Sequence, residues 1–163
     1  MNASQAMDPN PTTLSPDDTI QCAADYIMTN RYRNLPVVDK DHCYIGMFGV
    51  NCLLKQVIPS AVFLTNGLRN VSFIHESFEE LYKRFAEVKD QPISMCMNKD
   101  IKPVHPDTPL TETMLQLYNT RSSIPVVEKG SCKLLGMISY WDIGEKILAA
   151  GEKIQGCETS ADA

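Results

Sequence analysis

What this 163-residue sequence lacks removes whole classes of function. No apolar run approaches the roughly 20 residues that a membrane-spanning helix requires, so membrane insertion is not expected. There is no Lys/Arg-rich segment, and the net charge is −5. That balance argues against a protein that grips nucleic acid by broad phosphate neutralisation, although a single anionic ligand in a local site remains permitted. Met1 to Ala6 has neither a basic start nor an apolar stretch and does not read as a secretion signal. The six cysteines (22, 43, 52, 96, 132 and 157) form no CxxC pair and no metal-like ladder. Neither His42 nor His105 has a ligand partner at useful spacing. The expectation is reduced thiols in a cytoplasmic protein. Paired catalytic carboxylates, a P-loop and a dinucleotide fingerprint are all missing. Cys52 sits near a helix start, which can activate a thiol, but no histidine is brought to it as a base. An enzyme is not expected.

What is present is an internal duplication. Gly46-Met47-Phe48-Gly49-Val50-Asn51-Cys52 corresponds to Gly136-Met137-Ile138-Ser139-Tyr140-Trp141-Asp142. Met7 pairs with Met97, Pro16-Asp17 with Pro106-Asp107, Ile20 with Leu110, Ile27 with Leu117, and Arg31 with Arg121. Leu35-Pro36-Val37-Val38-Asp39-Lys40 matches Ile124-Pro125-Val126-Val127-Glu128-Lys129 after one residue drops out. The copies keep their apolar framework and differ at polar positions: Ser139 replaces Gly49, and Asp142 replaces Cys52.

Each copy opens with a short extended segment, Thr12 to Leu14 or Ile101 to Val104, then a Pro-Asp turn. Asp17/Asp18 and Asp107/Thr108 are available to cap the helices that follow. Those helices carry Ile20, Ala23, Ala24, Ile27 and Met28, or Leu110, Thr113, Met114, Leu117 and Tyr118, at one-face spacing. The Leu/Ile-Pro-Val-Val runs read as strands that begin at proline, and hairpin-like loops holding Cys43 and Cys132 lead to the Gly-Met strands. A closing helix starts near Val50 and near Trp141. The expected fold class is α+β: two β-α-β-β-α repeats packed with pseudo-two-fold symmetry, plus a linking helix. The expected boundaries are 7–58, a helical linker 59–94, 95–150, and a disordered tail 151–163. Ser77-Phe78-Glu79-Glu80 has capping-box form, and Phe78, Leu81, Tyr82, Phe85 and Val88 give the linking helix an apolar stripe expected to lie on both halves.

From about Met7 to about Ala150 the chain resembles a tandem pair of cystathionine-β-synthase (CBS) domains, a Bateman module. The paired Pro-Asp turns, the two Leu/Ile-Pro-Val-Val strands and the two Gly-Met strands carry that resemblance. It implies a non-catalytic regulatory module that binds AMP, ADP, ATP or an S-adenosyl compound in the cleft between repeats, forms a homodimer, and signals to an unidentified regulated protein. The family's ligand signature appears as Gly136 to Asp142. Asp142 would accept hydrogen bonds from a ribose diol, and Ser139 beside helix N–H groups would meet a phosphate. Met137 and Ile138 end the strand before them. By resemblance, Lys102, Pro103, Val104, Ser123, Ile124 and Pro125 line the pocket, with Arg121 near phosphate. The first repeat, with Gly49 and Cys52, departs from this pattern and is expected to be weak or empty; Arg31 and Arg33 are surface residues that could decorate it. Ser-x-x-Asp is also an ordinary helix cap. The competing reading is therefore a structural or protein-interaction dimer with a vestigial nucleotide site.

Overall fold

The computed structural model describes residues 1–64 and 74–159. The elements in chain order are α1 (Ala3–Ala6), α2 (Ile20–Asn30), β1 (Asn34–Val38), β2 (Tyr44–Gly49), α3 (Val50–Val57), α4 (Ser60–Leu64) and α5 (Phe78–Val88). A 3₁₀ turn at Ile93–Met95 follows, then α6 (Leu110–Thr120), β3 (Ile124–Val127), β4 (Leu134–Ile138) and α7 (Tyr140–Thr159). The α+β repeat is therefore present twice, as α2-β1-β2-α3 and α6-β3-β4-α7. The expected linker falls partly on 65–73, outside the described residues. Helix α7 runs on to Thr159, well into the segment expected as a tail.

The extended arm before each repeat's first helix shrinks to a single bridging residue. Leu14 pairs with Val37, and Val104 with Val126, both in parallel sense. The Pro-Asp turns do not supply caps. Thr19 caps α2 by accepting from Cys22 N at 3.2 Å, while Asp18 accepts from Ser15 N at 2.9 Å and closes its own turn. In the second copy Thr108 Oγ1 accepts from His105 N at 3.0 Å, and Asp107 receives Lys129 Nζ at 3.1 Å. Short polar side chains compete between these local uses, and the turn wins in both places.

Both first helices end on an arginine in the left-handed region, Arg31 at φ 59° and Arg121 at φ 52°. Each arginine N–H returns to the carbonyl of Ile27 or Leu117. Left-handed backbone is uncommon outside glycine and asparagine, so its recurrence at aligned arginines is an independent mark of duplication. The helical faces are narrower than their spacing suggests. Met28 is 53% and Tyr118 75% exposed, whereas Ile27 and Leu117 one residue earlier are buried.

The chain forms two compact units that do not follow the repeat boundaries. The first-repeat unit holds Thr13–Asp39 and the described part of Ile45–Lys99. The second-repeat unit holds Met1–Thr12, Lys40–Tyr44 and the described residues from Asp100 onward. Ile93, preceding the second repeat in sequence, is fully buried with Ile20, Ile27, Val37 and Phe48 in the first-repeat core. Ala3 and Ala6, preceding the first repeat, are fully buried with Leu117, Ile124, Val126 and Ile138 in the second-repeat core.

The same exchange lays one residue along each Gly-Met strand. Met47 N donates to Asn98 O at 2.8 Å, and Met137 N to Asp8 O at 3.0 Å, with the reciprocal bonds also made. A Cβ on Gly46 would lie 3.1 Å from Asn98 O, and one on Gly136 only 2.5 Å from Asp8 O. Glycine inside these strands therefore marks a close backbone approach.

Helix α5 has the expected capping box: Ser77 N donates to Glu80 Oε2 at 2.8 Å and Glu80 N to Ser77 Oγ at 3.3 Å. Its stripe, expected to lie on both halves, serves the first-repeat unit. Phe85 and Val88 pack on that core, while Phe78 and Tyr82 are exposed. Arg84 Nε fixes the helix to Val57 O at 2.6 Å.

Candidate functional site

The expected site residues all lie in the second-repeat unit. Strand β3 pairs antiparallel with β4, so Ile124 faces Ile138 and Pro125 faces Met137. Val104 closes the other side of β3 by donating to Pro125 O and accepting from Val127 N, both at 2.9 Å. Val104, Ile124, Pro125, Met137 and Ile138 thus form one buried ribbon. Ser123 precedes β3 and Ser139 follows β4, so antiparallel pairing brings these two half-buried serines to the same end of the ribbon.

Ser139 and Asp142 make a reciprocal cap at the start of α7. Asp142 Oδ2 accepts from Ser139 N at 2.7 Å and from Ser139 Oγ at 2.6 Å. Ser139 Oγ in turn accepts from Asp142 N at 3.3 Å. The capping reading of Ser-x-x-Asp is therefore correct as far as it goes. No bond among the described residues uses Asp142 Oδ1, so the cap occupies one carboxylate oxygen and leaves the other as an acceptor.

Lys102 and Arg121 stand apart from that pair: both are exposed, and among the described residues no hydrogen bond joins either side chain to Ser139 or Asp142. The Lys102 carbonyl accepts from Gln116 Nε2 at 2.6 Å. Arg121 has a backbone role as the left-handed terminus of α6. Two features escaped sequence reasoning. Tyr140 Oη donates to Leu117 O at 2.8 Å and ties the start of α7 to α6. Tyr44 Oη donates to Ile101 O at 2.9 Å, next to Lys102, and burial pushes this phenol well above its ordinary pKa.

The corresponding position in the first-repeat unit is built differently. Gly49 is the N-cap of α3 with no side-chain cap, and Val50 N donates to Arg33 O at 3.0 Å. A Cβ on Gly49 would sit 2.4 Å from Arg33 O and 2.6 Å from Asn34 Cβ. Cys52 Sγ lies 3.8 Å from Met47 O, a weak sulfur contact. Arg31 and Arg33 are exposed.

The thiol expectation needs correction. Cys43 and Cys132 form a disulfide, whereas Cys22, Cys52 and Cys96 are free thiols. Spacing gave no sign of it, because loops 89 residues apart are brought together by the fold. Among the described residues no group of three His, Cys, Asp or Glu side chains could hold a metal ion, and no helix is long and apolar enough to cross a membrane.

Two repeated α+β units, one with a polar pair at a strand-to-helix junction, define a tandem-repeat module. The chain belongs to the CBS domain family, whose sequence profile matches residues 3–58 and 88–149. No catalytic family is indicated. No curated protein sequence matches the chain. Among solved structures it is similar to AcuB of Vibrio cholerae, whose name refers to acetoin utilization, at 18% identity and TM-score 0.71, covering 96% of each chain. It is also similar to CBSX2 in complex with AMP (18%, TM-score 0.68, covering 92% of this chain and 98% of that one). A third likeness is to MJ1225 of Methanocaldococcus jannaschii, described as an archaeal homolog of g-AMPK (14%, TM-score 0.68, covering 88% of this chain and 46% of that one). At these identities the likeness concerns the fold.

Proposed function

We propose that this chain is a non-catalytic regulatory module that binds one adenine nucleotide or S-adenosyl compound at the β4–α7 junction of its second-repeat unit. The observation that carries this reading is the Ser139–Asp142 pair, whose mutual bonds use Oδ2 and leave Oδ1 as an acceptor for a ribose diol. The start of α7 adds N–H groups and a favourable dipole for phosphate. Val104, Ile124, Pro125, Met137 and Ile138 frame the base side, with Pro103 and Ser123 at its edge, and Lys102 and Arg121 contribute charge. The AMP-bound CBSX2 structure supports adenine nucleotide as the ligand class. Binding regulates a partner protein only if the ligand prefers one arrangement of the module.

The module acts as a homodimer in this proposal, supported by exposed Tyr26 and Met28 on α2 and Leu115 and Tyr118 on α6. The alternative, an interaction dimer with a vestigial site, draws on the completeness of the cap itself. Thermal unfolding with AMP, ADP, ATP and S-adenosylmethionine, beside Asp142→Ala, separates the two. A ligand at about a hundred times its Kd stabilises by roughly 2.7 kcal/mol, several degrees at this size. A shift for one compound that disappears in the variant supports the sensor. No shift with any compound supports the interaction dimer.

A further inference from the structure

The two cysteines of the disulfide occupy equivalent loops of the duplicated sequence, and the backbone, not only the sulfurs, brings them together. Tyr44 N donates to Cys132 O at 2.8 Å, Leu134 N donates to His42 O at 3.1 Å, and Cys43 bridges Lys133 in antiparallel register. The two Cα atoms lie 4.7 Å apart, within the range a disulfide spans. These ladder bonds are made by the backbone rather than by the sulfurs, so after reduction they would still bring the two thiols together, though less firmly than the covalent link does. Cys132 is exposed and Cys43 half-buried, which gives a small thiol or disulfide a route in.

We propose that Cys43 and Cys132 are a reversible oxidation site, a dithiol–disulfide pair that exchanges with small-molecule disulfides of the glutathione class. One cysteine thiolate attacks a glutathione disulfide sulfur and expels a glutathione thiolate. The second cysteine thiolate then attacks the mixed disulfide at the protein sulfur, forming the Cys43–Cys132 bond and releasing the second glutathione. The two cysteines lose two electrons to glutathione disulfide, and their two protons end on two glutathione thiols. Loop 40–44 is the element controlled. Oxidation ties it covalently to the start of β4, and through Tyr44 it already holds Ile101 beside Lys102. The remaining thiols are poorer candidates. Cys22 is an exposed free thiol outside the disulfide, and burial together with Cys52 pushes the Cys96 thiol up to about 11.

The test uses the full chain without nucleotide, so its outcome is independent of the proposed sensor function. Protein is equilibrated from both directions in buffers spanning reduced to oxidised glutathione, then alkylated, digested without reductant and mapped by mass spectrometry. The expected result is a cross-linked Cys43–Cys132 peptide whose fraction follows a single two-electron titration reached equally from either side. Because the bond closes a loop of 89 residues, full reduction should lower the Tm by roughly 10 °C. Amide exchange at Tyr44 and Leu134 should quicken, and the redox dependence should vanish in Cys43→Ser/Cys132→Ser. The mapping needs only the wild-type chain and stands even if that variant folds poorly. No Cys43–Cys132 peptide at any ratio overturns the proposal, as does a cross-link that glutathione cannot reduce in the folded protein. An unchanged wild-type Tm on complete reduction also overturns it.

Discussion

The starts of α3 and α7 are the same place in a duplicated sequence, and they answer the same physical need in opposite ways. Helix α7 begins with side chains: Ser139 and Asp142 satisfy each other and the first backbone donors. Helix α3 begins with backbone: Gly49 lets Val50 N reach Arg33 O, in a space too tight for any Cβ. The first arrangement places an anion-compatible terminus beside a carboxylate. The second spends its space on packing. Two copies of one scaffold have thus diverged where a ligand would sit while their cores stayed alike.

Restoring the missing hydroxyl by Gly49→Ser is the harshest way to break this comparison. With Arg33 O at 2.4 Å from the new Cβ, the strand must shift, and we expect a loss of about 3 kcal/mol. Denaturant unfolding measures it, and no second nucleotide site should appear. Gly136→Ala tests the matching approach of Asp8 O at 2.5 Å and should cost about 2 kcal/mol. Gly46→Ala, whose nearest atom is Asn98 O at 3.1 Å, should cost less than half of that in the same assay. Asp142→Ala removes only the cap, and should lower stability by about 1 kcal/mol in the ligand-free protein.

The smallest effect concerns the third cap, Ser77–Glu80, which has no proposed ligand. The Ser77 backbone N–H holds the Glu80 carboxyl below the usual carboxylate range. A depressed folded-state pKa contributes stability above the unfolded value, lost as pH falls through the folded one. The acid side of the wild-type stability profile should therefore steepen slightly relative to Glu80→Gln. Identical profiles would show that this cap does not couple to folding.

Much of this was legible in the sequence because it is local. Ile20 to Ile27 and Leu110 to Leu117 announce helices by spacing, the Pro-Val-Val runs announce strands, and Ser77-x-x-Glu80 announces a cap that the structure contains. The final position of each helical face, Met28 and Tyr118, misled because spacing does not say how wide a neighbour is. The exchanged segments at Ala3–Ala6 and Ile93–Met95 were missed, since burial there comes from residues far along the chain. Gly46 and Gly136 were the available signal, as glycine inside a strand implies that another backbone comes close. The Cys43–Cys132 link escaped for the same long-range reason. Ser139 and Asp142 are joined at the start of α7, whereas the exposed side chains of Lys102 and Arg121 make no hydrogen bond to that pair among the described residues.

The most direct test of the central asymmetry is binding stoichiometry, by titration calorimetry with the nucleotide that shifts the Tm, joined to amide-exchange footprinting. One nucleotide per chain, with protection at Ser139 to Asp142 and none at Gly49 to Cys52, is the predicted result. Two nucleotides per chain, or protection centred on Gly49 to Cys52, would contradict it.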